Sequence, residues 1–133
     1  MRYMLDTSIC IYVIKHKPKS VFRELKKISP EDVFISSITY AELAYGVEKS
    51  VQTERNRLAL AMMLSSIDIA AFDDAAAAEY GEIRASLEKG GTPIGSMDML
   101  IAAHARSSGC TLVTNNTKEF CRVKGLKVVN WVK

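Results

Sequence analysis

The alternation of short apolar runs with helix-length segments constrains this chain more than any other feature. Strand-length runs occur at residues 2–5, 33–36, 67–70, 111–114 and 126–129. Helical patterning fills the spaces between them. One helix is expected from Thr7 to about Lys15 and a second from Pro18 to about Ile28. Further helices are expected over Thr39–Lys49, Glu54–Ser66 and from Asp73 or Asp74 to the Gly90-Gly91 stop. The last two run from Ser96 to Gly109 and from Asn116 to about Arg122. A helix between consecutive strands lets the chain return and start the next strand in the same direction. The pattern therefore predicts an α/β fold: a three-layer α/β/α domain whose central sheet is mostly parallel, with about five short strands and helices on both faces.

The 133 residues fit one domain, 1–133, and no repeat, low-complexity tract or Gly/Ser linker divides them. No run reaches the roughly 18–20 apolar residues of a membrane span, and a signal-peptide pattern is missing at the N-terminus. A cytoplasmic location and no membrane partner are the expectation. Cys10, Cys110 and Cys121 are odd in number and form no C-x-x-C pair, which predicts buried free thiols. His16 and His104 fit no zinc-binding spacing, and His104 falls beside an apolar helix face. The net charge is only +3, but it is unevenly spread. Lys15, Lys17, Lys19, Arg23, Lys26 and Lys27 crowd residues 15–27, and Lys118, Arg122, Lys124, Lys127 and Lys133 crowd the C-terminus. Asp68, Asp73, Asp74, Glu79, Glu82 and Glu88 lie between them. Such a distribution suits either solvated helix faces or a basic rim for a polyanion.

In a parallel α/β fold, the returning helices begin at the C-terminal edge of the sheet, where such sheets bind ligands. Asp6 follows the first strand directly. Glu42 lies early in the helix after the second, Asp98 in the first turn of the helix leading to Thr111, and Asn116 and Glu119 at the start of the helix after that strand. Each also has an ordinary structural reading. Asp6 can cap a helix, Thr39-x-x-Glu42 and Asn116-x-x-Glu119 fit capping boxes, and Asp98 follows the candidate cap Ser96. Jointly they say more. Carboxylates crowded together repel and raise one another's pKa values. With Mg²⁺ or Mn²⁺ they become a hard oxygen-ligand site able to activate water against phosphorus. Metal-dependent phosphodiester hydrolysis uses every part of this pattern, including a basic rim for flanking phosphates.

Four segments carry a resemblance: Met4-Leu5-Asp6-Thr7-Ser8, Ser37-Ile38-Thr39-Tyr40-Ala41-Glu42-Leu43-Ala44-Tyr45-Gly46, Pro93-Ile94-Gly95-Ser96-Met97-Asp98-Met99-Leu100-Ile101-Ala102 and Leu112-Val113-Thr114-Asn115-Asn116. In order and spacing they resemble the PIN-domain family, and more narrowly the VapC toxins of type II toxin–antitoxin pairs. The resemblance implies a Mg²⁺- or Mn²⁺-dependent endoribonuclease that inhibits translation, with initiator tRNA, cut in its anticodon region, as the leading substrate. It also implies a cognate VapB-type antitoxin, a homodimer, and operator DNA reached only through the antitoxin. Asp6, Asp98 and Glu42 match the family's metal-binding acids. Asn116 stands where many members carry a fourth acid, and Glu119, one turn further, is the alternative supplier of that carboxylate. Thr7, Ser8 and Thr114 are hydroxyl neighbours suited to orienting the acids or the phosphate. Two readings from other classes remain: a catalytically silent PIN module acting through antitoxin and DNA, and an Asp-phosphorylating doubly wound protein. The latter lacks its second acid, because Ser8 stands where a phosphatase of that type needs Asp.

Overall fold

The computed structural model describes all 133 residues. Five strands form one sheet: β1 (Tyr3–Leu5), β2 (Val33–Ser36), β3 (Asp68–Ala70), β4 (Thr111–Val113) and β5 (Lys127–Val129). Their spatial order is β3-β2-β1-β4-β5, and every neighbouring pair is parallel. The sheet is thus wholly rather than mostly parallel.

Successive side chains of a strand point to opposite faces, and here that alternation separates two cores. Met4, Phe34 and Leu112 join Ile83, Leu87 and Ile101 on one face. Leu5, Ile35 and Val113 join Ile9, Val13, Leu43 and Leu60 on the other. The first face is covered by α5 (Asp74–Lys89) and α6 (Ser96–Ser107). The second is covered by α1 (Thr7–Lys15), α2 (Lys19–Lys26), α3 (Ser37–Glu48) and α4 (Thr53–Leu64). A one-turn helix, α7 (Thr117–Phe120), joins β4 to β5. On α6, Ile101, Ala102, Ala103 and Ala105 are wholly buried, the small side chains letting it lie close to its neighbours.

The chain leaves β1 toward β2 and β3 on one side and returns to β4 and β5 on the other. The order therefore reverses between β1 and β4, and the crevice at their C-terminal ends is the switch point where such sheets take ligands.

Three helix caps differ from the sequence reading. Thr39 does not begin α3: Ser36 is the N-cap, its hydroxyl accepting the Ile38 N–H at 3.0 Å. Thr39 lies inside the helix, fully buried, and its hydroxyl has no partner. Ser96 does not cap α6, because Gly95 holds the N-cap position and contributes no side-chain bond. Asn116 does occupy the N-cap of α7, but its side chain bonds Glu119 rather than a backbone N–H. Asp73 caps α5 as expected, accepting from the Ala76 N–H at 3.0 Å. Cys10 and Cys110 are buried free thiols, whereas Cys121 is free but exposed.

Candidate active site

Asp6 performs two tasks. It is the N-cap of α1, its Oδ1 accepting the Ile9 N–H at 2.9 Å, and its own backbone N–H donates to Val113 O at 3.0 Å. One carboxylate oxygen is thereby fixed, and the group is pinned between β1 and β4, only 4% exposed. Burial pushes its pKa up, with Glu42 adding to the rise, while the Thr114 hydroxyl and the Ile9 N–H pull it down.

Glu42 reaches the same edge from α3. The Thr7 hydroxyl donates to its Oε1 at 2.5 Å, tying the first residue of α1 to the second turn of α3. Asp98, in the first turn of α6, is the most perturbed of the acids. Its pKa is pushed up to about 6, first by burial and then by the charges of Asp6, Glu42 and Glu119. Asp6, Glu42 and Glu119, widely separated in sequence, therefore all lie close enough to disfavour ionisation of Asp98. Asn116 donates from Nδ2 to Glu119 Oε2 at 2.8 Å, and its backbone N–H donates to the Thr114 hydroxyl at 2.9 Å. The Asn116 side chain thus aims Glu119, whose charge reaches Asp98. Ser8 is exposed and lends only its backbone N–H to Asp6.

The donor set is all hard oxygen, with net negative charge, partial burial and no cation of the chain answering it. That chemistry fits Mg²⁺ or Mn²⁺ and fits zinc poorly, because no His or thiolate joins. No three of the chain's His, Cys, Asp or Glu side chains share one coordination position.

Sequence reasoning missed a supporting pair. His104 is 3% exposed, and its Nδ1 lies 2.7 Å from Ser36 Oγ across 68 residues of sequence. Burial lowers the His104 pKa, which favours the neutral ring. Phe72 meets the ring edge-on at 5.5 Å. Ser36 therefore accepts from α3 and shares a hydrogen bond with α6, locking together the two helices that carry Glu42 and Asp98. The only sequence signal was a His on the apolar stripe of α6.

Much of the basic rim is free. Lys15, Lys17, Lys19, Arg23 and Lys26 are exposed without a carboxylate partner, whereas Lys27 and Lys133 both reach Glu24. The acidic segment is partly consumed by structure, with Arg106 bridging Glu79 and Glu82. An apolar groove of about 400 Å³, lined by Val13, Ile14, Phe22, Leu25, Met62 and Met63 among others, lies apart from the acids.

The profile of the PIN domain matches residues 3–126. The chain belongs to the PIN-domain family. Within that family it groups with VapC proteins. It is 49% identical over 131 residues to the tRNA(fMet)-specific endonuclease VapC of Shigella flexneri, covering 98% of each chain. It is 46% identical to Ribonuclease VapC2 of Rickettsia felis over the full length of both. Among solved structures, VapBC2 from Rickettsia felis bound to a promoter DNA fragment matches with a TM-score of 0.93 at 45% identity, over 98% of this chain and 99% of that one. DNA-bound VapBC from Salmonella typhimurium matches with a TM-score of 0.92 at 43% identity, over 98% of each. The parallel α/β/α fold expected from the alternation of strands and helices, and the PIN fold implied by the resemblance, are thus the fold of these relatives.

Proposed function

We propose that this PIN domain is a divalent-metal-dependent endoribonuclease and the toxin of a VapBC pair, cutting initiator tRNA in its anticodon region. One observation carries the reading: Asp6, Glu42, Asp98 and Glu119, from four different elements, converge at the switch point of a parallel sheet, where their charges couple. Relatives named for tRNA(fMet) cleavage support the substrate, and solved VapBC complexes support a VapB-type antitoxin partner with operator DNA reached through it.

Asp6, Asp98 and Glu42 would hold the cation, with Glu119 as the fourth carboxylate and Asn116 as its aligning neighbour. A bound Mg²⁺ or Mn²⁺ supplies Lewis-acid charge to the phosphodiester and lowers the pKa of water. The chain's own residues do the rest. Asp6 has one oxygen fixed by the Ile9 N–H at the start of α1. Thr7 fixes Glu42, and the Ser36–His104 bond keeps α3 and α6 in register.

Mapping RNA ends after induced expression tests the assignment. A single dominant cut in the anticodon region of initiator tRNA is expected, lost in Asp6→Ala. Growth arrest with every RNA intact would instead favour a catalytically silent module acting through its partners.

A further inference from the structure

Two open cavities adjoin along α1. One, of about 280 Å³, is lined by Thr7 and Glu42 and also by Lys15, Asn56 and Leu60. The other, of about 550 Å³, is lined by Lys15, Lys17, Gln52, Arg55 and Asn56 among others. Ile14, Lys15 and Asn56 border both, so the cavity that includes Glu42 adjoins a basic pocket. The nine residues of α1 set its length: at 1.5 Å per residue, Thr7 and Lys15 lie about 12 Å apart along the helix.

The pocket's charge is uncompensated. Lys15, Lys17 and Arg55 are exposed, and none has a carboxylate within 4.0 Å. Arg55 bonds only the Gln52 side-chain oxygen, at 2.9 Å. Glu48 and Glu54, acids close to it in sequence, are both held by Arg57. Three like charges are therefore gathered beside two side-chain amides, with nothing on this chain to neutralise them. An isolated protein gains nothing from that clustering, whereas a polyanion entering the groove does.

We propose that the Lys15–Lys17–Arg55 pocket is a phosphate-binding subsite that holds the RNA backbone a few nucleotides from the scissile bond. The inference rests on the ribonuclease reading above and adds to it the direction in which the strand leaves the acids: along α1, between α3 and α4. The cations grip successive phosphates, while Gln52 and Asn56 donate to phosphate oxygens without reading sequence. An acidic peptide would meet the same charges. That the pocket adjoins the Glu42 cavity favours the polymer that must also reach the acids.

The test compares the wild-type protein with a Lys15→Gln/Lys17→Gln/Arg55→Gln variant in Mg²⁺ buffer. Substrates are a single-stranded RNA of about a dozen nucleotides and a dinucleotide too short to reach the pocket. The expected result is a KM for the longer RNA raised about tenfold or more, with kcat and dinucleotide cleavage unchanged. The salt dependence of RNA binding should also weaken, its logarithmic slope falling by about 2 for three lost single-strand contacts. Arg55→Lys, made alone, should keep wild-type KM. An unchanged KM and salt slope would overturn the proposal, as would an equal loss on the dinucleotide. So would intact RNA kinetics with lost VapB-type antitoxin binding, which would make the pocket a protein site. Failure of the wild-type protein to cut any RNA would instead count against the ribonuclease reading itself.

Discussion

Replacing Asp98 with Asn should stabilise the metal-free protein while destroying its activity. Asp98 has a folded-state pKa of about 6 against 3.8 when unperturbed. Below the lower value both states are protonated and the group contributes no penalty. As pH rises through this window the unfolded chain ionises first, so stability is lost and the loss levels off above the folded pKa. A shift of this size corresponds to at most about 3 kcal/mol. Asp98 is only half-buried, and solvent screening reduces the expected figure to about 1–2 kcal/mol. Asn keeps the shape and removes the charge. Urea unfolding in EDTA at pH 7.5 should therefore show the variant about 1–2 kcal/mol more stable, equivalent to about 3–8 °C in Tm. The gain should shrink to a few tenths of a kcal/mol by pH 4. Added Mn²⁺ should raise the wild-type Tm and leave the variant's unmoved. Equal stability at pH 7.5, or a gain that persists at pH 4, would refute the claim that burial and the neighbouring acids together raise the Asp98 pKa.

Ser36→Ala removes the α3 cap and strands the buried His104 nitrogen, so it should cost about 2–3 kcal/mol in chemical denaturation. A cost under about 0.5 kcal/mol would deny the pair its bracing role. Asn116→Asp adds a fifth acid beside Glu119 and should tighten Mn²⁺ binding by calorimetry. Glu119→Gln should weaken that binding by about tenfold, and no change in either would exclude both residues from the site. Cys121 should react with a maleimide within minutes in the native protein, with Cys10 and Cys110 reacting only after denaturation. Rapid labelling of all three would contradict the burial of Cys10 on α1 and of Cys110 just before β4.

Asp6 was legible in the sequence as a helix cap at the sheet edge because its strand, its cap and its helix are contiguous. The parallel sheet was legible for a similar reason, at least one helix separating each strand from the next. The start of α3 was not. Ser36, Ser37 and Thr39 all offer hydroxyls, and only the pairing of Ser36 with Ala70 determines where β2 ends and which hydroxyl becomes the cap. The Ser36–His104 bond spans 68 residues and has no local signature. Glu119 was visible as an acid one turn beyond Asn116. Its alignment by Asn116 depends on a side-chain bond that replaces the expected capping geometry.

The most direct test of the account is cleavage of an initiator tRNA transcript by EDTA-stripped protein, with Mg²⁺ or Mn²⁺ added back to the wild type, Asp6→Asn and Asp98→Asn. The account predicts no cleavage without metal and full recovery in the wild type. It also predicts a loss of about 100-fold or more in each variant, with its circular dichroism spectrum unchanged. Cleavage that survives EDTA, or that either folded variant retains at the wild-type rate, would contradict it.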